Sequence, residues 1–145
     1  MIFATGSKPL FESPIMIRPR HLETFRPWDY EMPWDLLLSV DADRAILEQV
    51  VALELVRVAK LEGRIVGAYG IRPQTPTCYE LVTLVVEEGW RGRAFGRWLL
   101  GHALGLAESR GGREVLVRGQ HHAAFLQRFG FEPSGSDLRL ELTPE

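Results

Sequence analysis

One stretch limits the fold more than any other: Glu80-Leu-Val-Thr-Leu-Val-Val-Glu-Glu-Gly-Trp-Arg-Gly-Arg-Ala-Phe-Gly-Arg-Trp-Leu-Leu100. An apolar run of strand type passes through a short Arg- and Gly-rich loop into the start of an amphipathic helix. The loop, Arg91 to Gly96, puts small residues where the backbone turns tightly and exposes its amides. The first N–H groups of a helix have no intrahelical acceptor, and the helix dipole is positive there, so an anion is favoured at this point. Arg91, Arg93 and Arg97 add charge to the same spot. A pyrophosphate-bearing ligand is the natural occupant.

The rest of the chain sets this unit among strands that follow one another. Met1–Pro14 reads as a loose start, and Ile15–Arg18 as a short strand limited by Pro19. The segment His21–Ser39 is punctuated by Pro27 and Pro33 and carries Phe25, Trp28, Tyr30, Met32 and Trp34. Asp41 or Asp43 can cap a helix with Ile46, Leu47, Val50 and Val51 on its apolar face. Leu55–Leu61 and Arg64–Ile71 are strands joined at Glu62-Gly63, a hairpin signal. Pro73, Pro76 and Thr77 predict a second turn before the strand Tyr79–Val86. The helix Ala94–Ser109 is expected to bury Phe95, Trp98, Leu99, Ala103 and Leu106 and to stop at Gly111-Gly112. A strand Glu114–Arg118, a short helix His122–Phe129 and a strand Leu138–Leu142 complete the order. Consecutive strands with one right-handed crossover helix imply a mixed α/β fold with a mostly antiparallel sheet.

The loop and its lead-in resemble the cofactor motif of the GNAT superfamily of N-acyltransferases. In that motif Arg or Gln, two residues, Gly, one residue and then Gly or Ala grip the pyrophosphate of acetyl-CoA. Arg91 takes the first position and Gly96 the last; Ala94 stands where the family usually has Gly. A methyl there is harmless at negative φ and costly at positive φ. Glu80, Leu81, Leu84 and Val86 match the Glu-Leu-x-x-Leu-x-Val that often precedes the loop, and Phe125 to Phe131 resembles the Phe-Tyr-x-x-x-Gly-Phe ending. The resemblance runs from about Ile15 to Leu142. It implies the GNAT fold, with helices flanking the sheet and splayed central strands, over a single domain of residues 1–145. It implies that Leu84, Val85 and Val86 hold the pantetheine arm of acetyl-CoA. It assigns the pyrophosphate to Arg91, Gly92, Arg93, Ala94, Phe95, Gly96 and Arg97. Competing phosphate loops fit less well: no Gly-Lys-Ser/Thr ending is present, and no acid lies where a dinucleotide fold needs one.

Acyl transfer to an amine needs a deprotonated nucleophile and a place for the thiolate charge. Glu80 matches an acid that serves as general base in some relatives, the alternative being a solvated carboxylate at a strand end. The Tyr that acts as general acid in many relatives is replaced by Leu126. Tyr79 and Tyr69 are candidate substitutes, although strand tyrosines more often pack. His121 and His122 lie side by side without ligand-spaced partners, so no metal site is expected, while either ring can accept a proton. Cys78 reads as a packed thiol. The aromatics of Trp28–Trp34 fit an acceptor-pocket wall, a core closure or a homodimer contact, the core being the closest fit.

Composition narrows the function class. At 145 residues the chain can bury about 70% of its unfolded surface. A net charge of −2 speaks against a general nucleic-acid partner. No apolar run is long enough for a membrane span, and Met1–Ser13 has no basic leader before an apolar core. One cysteine fits the cytoplasm. Arg outnumbers Lys heavily among the 17 basic residues, which discounts any single Arg as a signal. The expectation is an N-acetyltransferase that moves acetyl from acetyl-CoA directly to a primary amine of a small molecule or peptide. The rival is a GNAT-fold domain that binds acyl-CoA without turnover, as a sensor or interaction module.

Overall fold

The computed structural model describes residues 23–40, 43–92 and 94–143. Its strands are β1 (Glu23–Phe25), β2 (Val56–Leu61), β3 (Arg64–Thr75), β4 (Cys78–Val86), β5 (Glu114–Val117), β6 (Glu132–Ser134) and β7 (Asp137–Glu141). Its helices are α1 (Trp34–Leu38), α2 (Arg44–Ala52), α3 (Phe95–Ser109) and α4 (Ala123–Gln127). The sheet order is β1-β2-β3-β4-β5-β7-β6, and only β4 and β5 are parallel. Parallel neighbours require a crossover, and α3 supplies it. The expected mixed α/β fold, mostly antiparallel and flanked by helices, is the one found.

Local chemistry accounts for most element ends. Asp43 caps α2, its Oδ1 accepting from the amides of Ala45 at 2.8 Å and Ile46 at 3.4 Å. Leu47 and Val50 are fully buried on the face of that helix. Glu62 and Gly63 both have positive φ, 51° and 80°, which is the two-residue turn that joins twisted strands without splaying them. At the end of α3 the amide of Gly111 donates to Glu108 and that of Gly112 to Ala107, closing the helix with Gly111 at φ 89°.

Two expectations change, and two short strands join the sheet. β3 continues through Pro73 to Thr75, because β2 no longer pairs with it there and the ladder is irregular between Pro73 and Thr75. Pro73 faces Tyr79 of β4 but has no strand beside it on the β2 side, an edge position of the kind where proline is tolerated. The buried face of α3 is Phe95, Leu99, Leu100, Ala103 and Ala107, while Trp98 and Leu106 are only partly buried. The one-turn spacing from Phe95 to Ala107 sets the centre of the stripe, and Trp98 and Leu106 fall at its flank. The rim strands β1 and β6 are too short for a period to register in the sequence. The expected strand Ile15–Arg18 and the start Met1–Pro14 lie outside the described residues.

The two sheet faces are distinct. A Cβ on Gly67 would meet Leu99 of α3, whereas one on Gly70 would meet Val50 of α2. Tyr69 therefore lies on the α3 face, fully buried, with its hydroxyl 2.5 Å from Nδ1 of His102. Nε2 of the same ring is 2.8 Å from the Thr24 hydroxyl, so this chain of groups ties β1 to α3 and β3. A neutral imidazole, one nitrogen donating and the other accepting, satisfies both partners. Burial lowers the His102 pKa below the ordinary 6.5, and nearby Arg57 lowers it further.

A histidine with a depressed folded pKa contributes stability that is present above the unfolded value and lost as pH falls through the folded one. Stability measured by denaturant midpoint is thus expected to decline as pH drops below 6.5. His102→Gln is expected to flatten that decline between pH 6.5 and about 5, before carboxylates titrate. An unchanged slope in the variant would remove His102 as a cause.

Candidate active site

β4 and β5 pair only over Cys78–Glu80 and Glu114–Leu116. Beyond Glu80, β4 continues to Val86 with no strand beside it on that edge among the described residues. Yet every residue of β4 is buried. The parting coincides with a bulge: Thr83 pairs with Gly70 and Leu81 with Ile71, so β4 holds one extra residue, Val82. A bulge bends its strand and sharpens the local twist, which turns β4 away from β5. Splayed central strands are thus present at Leu81–Val86, the segment that contains Leu84, Val85 and Val86. Backbone groups on a buried, unpaired strand edge call for a partner, and a ligand that runs alongside can provide one.

The loop after β4 turns into α3 at this opening. Gly92 has φ 80° and Ala94 φ 64°, and Ala94 is the N-cap residue rather than the first helical one. Among the described residues no side-chain hydrogen bond caps α3, and no acid lies in its first turn to offset the positive end of this 15-residue helix. Arg91 donates from Nε to the Val86 carbonyl at 2.9 Å, which fixes its guanidinium against the end of β4. Arg97 is exposed in the first turn. The Phe95 side chain is buried and stacks on Trp90 at 5.9 Å, so this residue offers a ligand only its backbone. Arg93 lies outside the described residues.

Glu80 sits at the last paired position before the strands part, and it is not a solvated strand-end carboxylate: it is 3% exposed. Its Oε1 accepts from Arg72 Nε at 3.0 Å and Gln74 Nε2 at 3.0 Å, and Arg118 Nε stands 3.4 Å away. Arg72 also reaches Gln49 of α2, so this cluster occupies the face opposite Tyr69. Thr83, three residues further on, is fully buried, and its hydroxyl has no partner among the described residues. The sequence reading missed both the arginine clamp and Thr83. Arg72 and Gln74 alternate toward one face of β3, a signal hidden by the assignment of that segment to a turn.

Leu126 is 1% exposed and belongs to the core, so its side chain packs. The two tyrosine substitutes are committed elsewhere: Tyr69 to His102, and Tyr79 to the Arg110 carbonyl at 3.5 Å. Burial, then the adjacent His121, lowers the His122 pKa and keeps that ring neutral at pH 7. The aromatic segment divides. Trp28 and Tyr30 are 68% and 86% exposed, against the expectation that they close the core. Met32, Pro33 and Trp34 instead wall an open cavity of about 550 Å³ that extends to Ile65, Glu87 and Arg91. The prolines and the short turn Asp29–Glu31 keep Trp28–Pro33 outside the α-helices while Trp34 opens α1, so the rings are not forced into one layer.

A model of the acetyltransferase (GNAT) family matches residues 17–131. No curated protein matches in sequence. Among solved structures, a GNAT family acetyltransferase from Elizabethkingia anophelis with acetyl-CoA bound aligns at TM-score 0.73 and 19% identity, over 84% of this chain and 99% of its own. The IAA acetyltransferase from Bacillus cereus aligns at 0.72 and 24%, over 83% and 99%. A Bacillus subtilis acetyltransferase in complex with CoA aligns at 0.70 and 22%, over 85% and 99%. At these identities the likeness establishes the fold.

The positive φ of Ala94 generates a direct test. An L-residue with a Cβ costs roughly 1–2 kcal/mol in the left-handed region, and glycine returns about 0.5–1 of that as unfolded-state entropy. Ala94→Gly is therefore expected to stabilise the protein by up to about 1 kcal/mol, a rise in Tm of roughly 3 °C. A lower Tm would show that the methyl makes contacts that outweigh the strain.

Proposed function

The chain belongs to the acetyltransferase (GNAT) family, and from that premise we propose that it is an N-acetyltransferase that moves acetyl directly from acetyl-CoA to a primary amine. The observation that carries this reading is the opening at Glu80, where a buried strand edge lies beside an uncapped helix start. The uncapped amides at the start of α3, with Arg91, Gly92, Arg93, Ala94, Phe95, Gly96 and Arg97, hold the pyrophosphate. The edge of β4 at Leu84, Val85 and Val86 pairs with the pantetheine amides as a neighbouring strand would. The acceptor is a small molecule or a peptide, and the location is the cytoplasm, supported by a single cysteine in the sequence. Among the described residues no helix is long and apolar enough to cross a membrane.

Glu80 takes the amine's proton, directly or through water. An amine with a pKa near 10 needs about 3 units, roughly 4 kcal/mol, to lose its proton at pH 7. Once neutral, its nitrogen attacks the acetyl carbonyl, the C–S bond breaks and the thiolate departs. With a thiol pKa near 8.5 that departure costs only about 2 kcal/mol at neutral pH, so no side-chain acid at Leu126 is required. The packed Leu126 also favours a second reading, an acyl-CoA-binding module without turnover. Thiol release from acetyl-CoA across a panel of amines, beside direct CoA binding, separates the two: binding with no release from any amine selects the module.

Two variants test the assignments. Gly96→Asp puts a carboxylate against the pyrophosphate, and acetyl-CoA affinity is expected to fall more than tenfold, about 1.4 kcal/mol, in a folded protein. Unchanged affinity would remove the loop from the binding site. Glu80→Gln keeps size while removing basicity. Turnover is expected to drop by roughly 10²-fold with acetyl-CoA affinity retained, and to recover as pH rises and more amine is neutral. Wild-type turnover at pH 7 would leave Glu80 a structural carboxylate and shift the search to His121 and His122.

A further inference from the structure

The clamp around Glu80 holds more positive charge than Glu80 cancels. Arg72, Gln74, Glu80 and Arg118 meet on one face of the sheet, two guanidiniums against one carboxylate. Arg72 is used up: its Nε and Nη2 lie 3.0 and 2.9 Å from Glu80, and its Nη1 donates to Gln49 at 2.9 Å. Arg118 is not. It follows the last residue of β5, at the side of the opening, with half of its side chain exposed. Its Nε faces Glu80 and its Nη2 donates to Gln74 Oε1 at 3.2 Å, which consumes one long edge of the guanidinium. Among the described residues no hydrogen bond reaches Nη1.

The loop that carries Arg118 is fixed. The amide of Gly119 donates to Asp137 Oδ1 at 2.9 Å, and Gln120 Nε2 reaches the carbonyls of Gly135 and Asp137. A guanidinium set on one edge by Glu80 and Gln74, and carried by an anchored loop, loses little freedom when its outer edge is engaged. That outer edge presents two parallel N–H donors, the geometry of a planar carboxylate. A single surplus charge matches a monoanion rather than a phosphate dianion.

We propose that the acceptor is an amine that carries a carboxylate close to its amino group, as an amino acid does, and that Arg118 holds this carboxylate. The inference rests on the acetyl-transfer reading and specifies its acceptor. The bond made is still N–C(acetyl), the bond broken is C–S, and the proton leaves to Glu80; the carboxylate takes no part in the chemistry. Arg118 selects the substrate, with its guanidinium adjacent to the proton acceptor so that one small molecule can span both.

The test uses the full chain and matched pairs: each common amino acid against its own carboxamide, which keeps shape and amine and removes the charge. The amide's amine is the less basic of the two, so the chemistry alone favours the amide. At least one amino acid is expected to be acetylated with kcat/KM tenfold or more above its amide, mostly through KM. Arg118→Gln is expected to bring that ratio to near one, and Arg118→Lys to restore part of it. Because both members of a pair meet the same variant, any general effect through Glu80 or folding cancels in the ratio. Binding of the same pairs to the CoA-loaded protein, read by thermal shift, gives a second measure that needs no turnover. No pair with a carboxylate preference in either measure, a preference for phosphorylated amines instead, or a preference that survives Arg118→Gln would overturn the proposal. Loss of CoA binding itself would sink the acetyl-transfer reading, and the pairs would then be judged on the free protein by the same criterion.

Discussion

The arrangement of this molecule depends on how little of β4 is paired with β5. Three registered positions, Cys78 to Glu80, hold the two halves of the sheet together. They fix the strand that α3 leaves and the one to which it returns. Past Glu80 the extra residue at Val82 turns β4 aside, and the opening, the loop and the helix start all follow from that turn. Had β4 and β5 stayed paired to Val86, their backbone groups would satisfy one another and nothing would be left to bind. The bulge exchanges ladder hydrogen bonds for a site.

The charge cluster at the parting point is set by a second constraint, the expense of burying a carboxylate. An isolated carboxylate at 3% exposure would be strongly unfavourable, so Glu80 is tolerable only with its partners. Arg72, at 17% side-chain exposure, is the partner that counts: breaking a buried pair by removing one member costs about 3–5 kcal/mol. Arg118, half exposed, adds little to stability, since solvent screens such pairs to about 0–1 kcal/mol. The same group that contributes little to folding is thereby available to a ligand. Thr83 is a smaller instance of the same tension, a buried hydroxyl with a donor and no acceptor among the described residues.

How much of this was legible follows from what a sequence encodes locally. The strand, loop and helix of Glu80–Leu100 were readable because each has a short-range signature and the three occur in order. The turn at Glu62-Gly63 and the cap at Asp43 were readable for the same reason. What escaped was non-local. Glu80 looks like a strand-end acid until Arg72 comes across from β3 and Arg118 from the end of β5. Pro73 reads as a turn because its position beyond the end of β2 is a property of the sheet, not of its neighbours. The bulge at Val82 leaves no mark in an all-apolar run, because alternation cannot slip where every residue is buried. The exposure of Trp28 and Tyr30 likewise depends on what lies opposite them.

The rims of the sheet have a consequence for how copies of this molecule meet. β1 and β6 are each three residues long, and β6 contains Pro133, which has no N–H to offer. Among the described residues these two stubs give a second chain little template for main-chain pairing, which disfavours edge-to-edge stacking on them. The unpaired edge of β4, Leu81–Val86, is longer than either rim, and its residues are buried. Strand length thus works in opposite directions on this sheet: short at the described rims, where copies of the molecule would meet, and long at the free edge inside.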